Sequence, residues 1–598
     1  MPSTIISITY YYTYGMRKVL ATICICASAL TLSLPTLSAM PSGATYYGGN
    51  YRHGAPDVCE ISCRYAGHLK DKLGERELRQ ARIVVIIGNI NGDDIALLRK
   101  LCTRTACFDT NGNPIENYVD LDLSEAHITT GGYYYSGNRA IRDEVGDYMF
   151  YGCTALRTII LPKFTSCIRK RAFSGCSKLE DVMMPRNVRF IDDEAFYSCG
   201  QLRKVDLPDG IERIGNRAFS HCLELPEVNL PYTLREIGCE AFSYCPLRAV
   251  HLPQGLVSLG NNAFSYTKLT QMLIPASTYL KGGLGTISTL TRIDVESGNS
   301  TLLSEDGILY SDNGYTLHTF PMGRDAEVTV PDGVTRIGNF AFSGSKVKSV
   351  YLPESTTEIG NSAFMNCSGM ASISFAEALK SIGNHAFSGC AAITSFAWPN
   401  GVNVVDEGTF MGCKSLQQVS LPNCVTELRQ DAFRNCESLQ SISLPEGLTI
   451  IGKECFRGCK SLSKVAVPST VKTLSFKAFN ECRSLTAITL NEGLRVIEES
   501  ALDNCNLLSI DIPRTVEVIE KKMVDKNKNL QKIVVRATTP PILKSDSEKG
   551  VPLYVPASSV ELYKGTKPWT NYKKILPIES ANDSQINAKH RNEDIAVR

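Results

Sequence analysis

A surplus of charge of one sign and a long apolar run are both missing from this 598-residue sequence. Its 63 basic residues nearly balance its 61 acidic ones, which leaves a formal net charge of +2. A chain so close to neutrality has no strong overall attraction for nucleic acid or an anionic membrane. No apolar run reaches the roughly 18 residues that cross a bilayer. We therefore expect no nucleic-acid partner and no membrane span in the mature chain.

The sequence also lacks the short motifs that carry chemistry. There is no Gly-x-Ser-x-Gly elbow, no phosphate-binding loop and no Gly-x-Gly-x-x-Gly after a strand. The eight histidines are scattered, and neither Cys-x-x-Cys nor His-x3-His spacing occurs, which argues against a bound metal. We expect a protein that is not an enzyme and holds no cofactor.

What the sequence does contain is a 23-residue motif that recurs along most of its length. Residues 214–231 show it as Ile-Gly-x2-Ala-Phe-x2-Cys-x2-Leu-x2-Val-x-Leu-Pro. A repeat of this length with Leu-x2-Val-x-Leu spacing is typical of leucine-rich repeats, which stack into a solenoid. The Ala-Phe pair stands at 172–173, 195–196, 218–219, 241–242, 263–264, 341–342, 363–364, 386–387, 432–433 and 478–479.

Each copy of the motif predicts one short strand, as in residues 202–208. Leu202, Val205 and Leu207 are expected to point into the core. Lys204 and Asp206 then point outwards, because successive side chains of a strand lie on opposite faces. A single repeat cannot fold alone, since burying five or six apolar side chains does not offset the cost of ordering 23 residues.

The cysteines follow the same period, because twelve of the 22 stand three residues after the phenylalanine position. Stacked repeats hold such side chains in parallel at about 4.8 Å, whereas a disulfide needs converging Cβ atoms about 3.5–4.5 Å apart. We therefore predict free, buried thiols at these positions. Cys59 with Cys63, and Cys102 with Cys107, lie outside the series and are the better disulfide candidates.

Changes in the pattern divide the chain into segments. Met16-Arg17-Lys18, an apolar stretch and small residues before residue 40 are typical of an export signal. The predicted segments are 1–39, a signal peptide whose true start could be Met16; 40–118, a flexible lead-in and N-terminal cap; 119–275, the first repeat block; 276–333, degenerate repeats with an inserted hairpin; 334–536, the second repeat block; 537–579, a C-terminal cap; and 580–598, a disordered tail.

Two of these segments carry further predictions. In the N-terminal cap we expect helices at 59–73 and 94–102 around a strand at 83–87, with Asn91 near a helix N-terminus. In the degenerate segment, two β-runs on either side of Asp312-Asn313-Gly314 predict a hairpin that protrudes while the stack continues past it.

The repeat resembles that of the BspA-type leucine-rich repeat surface proteins of bacteria. The segments Ile90-Asn91-Gly92-x-Asp94, Gly307-Ile308-Leu309-Tyr310 and Thr-Pro-Pro…Leu-Tyr-Val-Pro resemble the family as well. The resemblance implies a β-rich, right-handed curved solenoid with an N-terminal α/β cap and a small C-terminal β cap. It also implies an exported protein, extracellular or on the outer cell surface of a bacterium. The mode of anchoring stays open, because no surface-sorting domain is recognised after Ile578.

The family resemblance further implies adhesion to host matrix or bacterial surface proteins, but it supplies no binding residues. Outward strand positions are therefore the candidate surface. Those of the first block carry varied polar groups on a rigid sheet, whereas those of the second block are mostly small and hydroxyl-bearing, which also suits a merely solvated strand. An aromatic next to the hairpin adds a contact of the kind that binding hot spots favour. The candidate residues are Lys204, Asp206, Glu227, Asn229, His251 and Tyr351.

Two other classes of function stay open. A glycan- or mucin-binding module should show several exposed aromatic rings in line, and Tyr351 alone qualifies among the outward strand positions. A purely structural protein of the cell envelope should have no saturable ligand.

Overall fold

The computed structural model describes residues 58–544 and 550–578. Here the chain forms a β-rich solenoid in which each repeat makes one turn, called a rung below, and successive rungs pair in parallel. The predicted leucine-rich repeat solenoid is thus confirmed. The predicted signal peptide, nearly all of the lead-in before residue 58 and the tail after residue 579 lie outside the described residues.

Two ladders of strands run along the solenoid. The front ladder uses the Leu-x2-Val-x-Leu segments, and the return ladder uses short strands that mostly end at the Ile of the Ile-Gly pair. The front strands are Leu156–Ile160, Asp181–Met183, Lys204–Asp206, Gln271–Ile274, Arg292–Val295, Glu327–Thr329, Ser349–Tyr351, Ser372–Ser374, Ser395–Ala397, Gln418–Ser420, Ser441–Ile442, Lys464–Val467, Ala487–Leu490, Ser509–Ile512 and Lys532–Val535.

The return ladder is split into four sheets of parallel strands. Its strands are Glu144–Val145, Cys167–Ile168, Phe190–Ile191, Arg213–Ile214, Glu236–Ile237, Ser258–Leu259 and Tyr279–Leu280; then Thr316–Thr319, Arg336–Ile337, Glu358–Ile359 and Ser381–Ile382; then Val404–Val405, Glu427–Leu428 and Ile450–Ile451; and finally Thr473–Leu474, Val496–Ile497, Val518–Ile519 and Ile542–Leu543.

An α/β unit precedes the first regular rung. Its strands Val58–Cys63, Ile83–Ile90 and Val119–Asp122 extend the front ladder in parallel. The other elements before residue 141 are the helices Leu69–Asp71, Glu75–Gln80 and Gly92–Cys102 and the strands Cys107–Phe108, Pro114–Ile115, Ala126–Ile128, Gly131–Tyr135 and Asn138–Ala140. Asn91 caps the third helix, since its side chain accepts the backbone N–H groups of Asp93 and Asp94.

The predicted helix at 59–73 is wrong. Residues 58–63 form a strand because buried Ile61 and Cys63 alternate with exposed Glu60 and Ser62, which is the period of a half-buried strand. The neighbouring strand Ile83–Ile90 supplies its hydrogen-bond partners. Four residues of strand separate the two cysteine Cα atoms at 59 and 63 by about 13 Å, too far for a disulfide.

The last rung is followed by the strands Leu553–Val555 and Ile575–Pro577, which pair with each other and extend the front ladder. The helices Ala557–Ser559, Val560–Gly565 and Trp569–Asn571 lie between them. Tyr563 and Trp569 are buried and donate to the backbone carbonyls of Ala537 and Pro541 at 2.8 and 2.9 Å. That this unit and its N-terminal counterpart act as caps stays a prediction.

The core is a column of stacked phenylalanine rings. Neighbouring ring centroids lie 4.9–5.8 Å apart, with the ring planes within 23° of parallel. The column runs from Phe150 to Phe264 and again from Phe320 to Phe479. Each ring is held at its level by the backbone: the N–H of Phe173, for example, donates to the carbonyl of Ala195 at 2.7 Å.

The repeated cysteines stay free and tie successive rungs together. All 20 cysteines in the described residues are unpaired, including the four disulfide candidates. In eleven rungs the thiol donates to the phenylalanine carbonyl of the preceding rung, at Sγ–O distances of 2.9–3.4 Å. The predicted free thiols are thus confirmed. Burial raises the pKa of Cys199 and of Cys413 to about 12.

The inserted segment does not protrude, contrary to the prediction. Leu302–Glu305, Ile308–Ser311 and Thr316–Thr319 form an antiparallel three-stranded meander around the short helix Asp312–Gly314, and its last strand joins the return ladder. Its apolar side chains are core residues, because Leu309, Tyr310 and Leu317 are at most 2% exposed.

The meander also divides the core in two. Ile308 and Tyr310 pack with the rungs that follow, whereas Leu309 packs with the rungs that precede. This division follows from strand geometry, since neighbouring side chains point to opposite faces. The phenylalanine column is interrupted at the same place, between Phe264 and Phe320.

Thiol reactivity tests the cysteine arrangement. We expect iodoacetamide to label exposed Cys424 in the native protein and to spare the buried series, because the thiolate is the reactive form and burial disfavours it. Denaturation without reductant should then expose the series to labelling, as measured by peptide mass spectrometry. Peptides cross-linked between neighbouring positions of the series would contradict the arrangement.

Truncation of one core ring tests the inward and outward assignment. Phe387→Ala should lower the free energy of unfolding by about 3–5 kcal/mol, as for other buried aromatic truncations, because its ring stacks on Phe364 and Phe410. Ser441→Ala, on an exposed front position, should change it by less than about 0.5 kcal/mol. Urea unfolding followed by circular dichroism measures both. Equal effects would mean a one-residue error in register.

Candidate binding surface

The first two candidates lie on the front strand Lys204–Asp206, which pairs in parallel with Asp181–Met183. Val205 is buried, whereas Lys204 and Asp206 point outwards and are about two-thirds exposed, with 2.6 Å between Nζ and Oδ2. The hydrogen bond that the Lys204 amine donates to the Asp206 carboxylate raises the pKa of that amine. Because the two charges neutralise each other, the strand presents polar groups without a net charge. Such an exposed pair contributes little to stability.

The preceding strand adds an apolar contact and a half-buried acid. Met183 is 47% exposed beside Asp206, and Asp181 stands beside Lys204 in register. Burial raises the pKa of the Asp181 carboxyl, although the Lys204 amine opposes that shift. On the flank of the Lys204 strand, Arg203 pairs with Glu224 at 2.7 Å. The surface around Lys204 is therefore mixed, with a thioether next to paired charges.

Glu227, Asn229 and His251 are exposed as predicted, but they do not lie on a rigid sheet. The front ladder is interrupted between Lys204–Asp206 and Gln271–Ile274, and no ladder bond joins 227–229 to either neighbouring rung. Pro226 gives one physical reason. It stands at the position of the repeat that Arg203 holds one rung earlier. The backbone N–H of Arg203 donates to the carbonyl of Glu180 in the rung before it. Proline has no N–H with which to make the corresponding bond.

Tyr351 stands apart from the other candidates. It is 47% exposed at the end of the strand Ser349–Tyr351, with Thr329 and Ser374 beside it in register. Four rungs separate it from His251, which at the spacing of parallel strands is about 20 Å. The six candidates therefore form three groups: the ion pair on an ordered strand, three residues on the interrupted rungs, and an isolated tyrosine.

The second block presents the small polar side chains that the sequence predicts. Ser395 and Ala397 are exposed around buried Phe396, and Gln418 and Ser420 are exposed around buried Val419. These side chains are uncharged and none is aromatic, so the front face is flat at these two strands.

Two clefts on the return ladder, of about 220 and 200 Å³, share Ser381, Ile382 and Asp406. Both are smaller than the roughly 300–1,000 Å³ of most ligand pockets. Over residues 58–544 and 550–578, His, Cys, Asp and Glu form no group of three or more suited to a metal ion. In the same part of the chain, no helix has the length and apolar character to cross a membrane.

Sequence reasoning missed a row of aromatic rings on a different edge of the first block, called the aromatic edge below. The turn that follows each buried phenylalanine supplies most of these rings, and comparing the repeats position by position would have revealed them. The residues of the aromatic edge are Tyr135, Tyr148, Tyr151, Tyr197, His221, Tyr244 and Tyr266.

Comparison with known families identifies this architecture. The family model described as a BspA type leucine rich repeat region matches in six copies over residues 143–270, 326–437 and 404–531. These ranges cover more than half of the chain. The protein therefore belongs to the BspA-type leucine-rich repeat family, as the resemblance predicted. A search of curated proteins finds no match.

Several solved structures are similar to this chain. A leucine-rich repeat protein from Eubacterium ventriosum is 20% identical, with 60% of this chain and 85% of that one covered and a TM-score of 0.45. A leucine rich cell surface protein from Faecalibacterium prausnitzii is 26% identical, with 64% and 92% covered and a TM-score of 0.44. A leucine-rich repeat protein from Bacteroides ovatus is 24% identical, with 78% and 94% covered and a TM-score of 0.36.

Amide hydrogen exchange tests the interruption of the front ladder. Exchange at 227–229 and 249–251 should be at least about tenfold faster than at Val205 and Asp206, because backbone groups without ladder bonds open at lower cost. Mass spectrometry on peptides from the native protein gives the comparison. Equal protection at all three places would show that the front ladder is continuous.

Proposed function

We propose that this protein is an exported, non-enzymatic binding protein of the bacterial cell surface, which uses the front face of its first block to hold another protein. The observation that carries the proposal is the mixed surface around Lys204. It combines exposed apolar area with paired charges, and a protein interface needs both. Membership of a surface-protein family and the export signal expected at 1–39 support the location.

The interrupted rungs suit this role. Glu227, Asn229 and His251 are exposed on segments without ladder bonds, so their side chains can adjust to a partner while the ordered rungs on either side hold their position. Exposed Leu273, on the next ordered strand, adds apolar area to match that of Met183. Apolar side chains thus flank an adaptable polar centre.

Tyr351 is a second, separate contact for a long partner. Tyrosine is enriched at hot spots because a large apolar ring carries a hydrogen-bonding tip. A partner that reaches both regions has to follow the solenoid past the meander. A purely structural role in the cell envelope is the alternative, and it predicts no saturable partner.

Binding measurements on matched variants test the proposal. The mature protein, immobilised on a sensor, is presented with matrix proteins, mucin and surface extracts of other bacteria. For any protein partner found, Lys204→Ala combined with Glu227→Ala should weaken binding about tenfold or more, the effect of losing a hot spot of about 1.4 kcal/mol. Tyr351→Ala should weaken binding of a long partner further.

The matched control is Ser395→Lys combined with Ser441→Lys, which places two large charges on serine-bearing strands of the second block and should leave binding unchanged. Loss of binding in this control alone would move the site to the second block. Absence of any saturable protein partner would favour the structural role. Deleting 305–318 is unsuitable as a test, because Leu309 and Tyr310 belong to the core.

A further inference from the structure

The aromatic edge begins with a triad of tyrosines. The ring centroids of Tyr135, Tyr148 and Tyr151 lie 5.6–6.4 Å from one another, with interplanar angles of 32–65°, so the rings are tilted rather than stacked. Tyr135 and Tyr151 are more than one-third exposed. Buried Arg99 fixes the group from below, since its guanidinium lies 4.2 Å from the Tyr135 ring centre and donates to the carbonyls of Tyr148 and Tyr151.

Further along the same edge, four rings from successive rungs contact one another. Tyr197 meets His221 edge to face at 5.3 Å, and His221, Tyr244 and Tyr266 then stack at 4.4 and 4.3 Å. Tyr244 and Tyr266 are 40% and 50% exposed. Because each ring is braced by its neighbours, the row is already ordered before any ligand arrives, which lowers the cost of binding.

The repeat itself does not require a ring at these positions. His221, Tyr244 and Tyr266 have φ of 64°, 63° and 59°, in the left-handed region that suits glycine and asparagine. Most of the equivalent positions in the second block carry those two residues: Gly344, Asn366, Gly389, Gly412, Asn435, Gly458 and Asn504. Bulky residues that persist in such a conformation point to a function rather than to a need of the repeat.

Charges beside the row are paired with one another. Arg171 binds Glu194 at 2.6 Å, and Arg217 binds Glu240 at 2.9 Å. Ser220 hydroxyl lies 2.9 Å from Nδ1 of His221. The edge therefore presents aromatic carbon, hydroxyl groups and an imidazole with balanced charge, which favours neither a polyanion nor a polycation.

We propose that the aromatic edge binds an uncharged polysaccharide that lies along the solenoid. Pyranose rings carry C–H groups, which can pack on the tilted rings of the tyrosine triad and along the outer edges of the stacked rings. They also carry hydroxyl groups, which pair with phenol and imidazole. The spacing also suits a repeating ligand. A pyranose unit in an extended chain advances by nearly one rung, whereas same-face side chains of an extended polypeptide recur every two residues, at about 6.6 Å, out of step with the rungs at about 4.8 Å.

This surface is separate from the front face, so the inference does not depend on the proposed protein binding. Its rings come from the strand Gly131–Tyr135, from Tyr148 and from the turns after the phenylalanines, whereas Lys204 and Tyr351 lie on front strands. It also meets the expectation for a glycan binder, several exposed aromatic rings in line, on an edge that the front strands do not form.

Affinity electrophoresis of the full chain tests the proposal. Native gels contain mannan, a β-1,3-glucan or a xylan as neutral probes, with heparin as the charged control. We expect at least one neutral polysaccharide to retard the protein. Tyr244→Gly combined with Tyr266→Gly should reduce that affinity at least tenfold, because it removes two rings, without lowering Tm, since glycine suits the backbone at both positions.

Two variants serve as controls, and three results overturn the proposal. Tyr232→Ala removes an exposed tyrosine outside the edge, and Lys204→Ala combined with Glu227→Ala alters the front face; both should be retarded like the unaltered protein.

The proposal fails if no neutral polysaccharide retards the protein, if the double glycine variant is still retarded equally, or if heparin alone retards it. A protein partner lost in that variant, without polysaccharide binding, would assign the edge to protein.

Discussion

Every surface of this protein depends on the contact of one rung with the next at the phenylalanine turn. At this turn the phenylalanine rings of neighbouring rungs stack. The phenylalanine N–H donates to a backbone carbonyl of the next rung, and the cysteine thiol donates to the phenylalanine carbonyl of the preceding rung. The stacking ring, the acceptor of the phenylalanine N–H and the acceptor of the thiol all belong to a neighbouring rung. A rung therefore folds only as part of the stack, which is the general condition of repeat proteins.

Stacking places the side chains at one repeat position in a row along the solenoid, and such a row can form a binding site. Residues 23 apart in sequence become neighbours about 5 Å apart. A side chain introduced in one repeat therefore adds one surface contact, and the same side chain introduced in several repeats adds a line of contacts. The tyrosines and histidine of the aromatic edge arise in this way. The meander separates the core of one block from that of the other, and the two blocks carry different rows.

The candidate surface was only partly predictable. Alternation along a strand correctly placed Lys204 and Asp206 outside and Val205 inside. It did not reveal the interrupted ladder at Glu227 and Asn229, although Pro226 is visible in the sequence, because the effect depends on a partner carbonyl in the adjacent rung. The aromatic edge was missed because its residues were treated as turn positions, whose side chains meet only when rungs stack.

The sequence by itself determined the repeat, the solenoid, the inward face of each strand and the free state of the stacked thiols, because these follow from short-range periodicity. Tertiary structure alone decided that 58–63 is a strand and that the meander is part of the core. It also decided which exposed rings stand in line. Each of these features depends on hydrogen-bond or packing partners some 20 or more residues away. Local sequence does not specify which distant residue will be that partner.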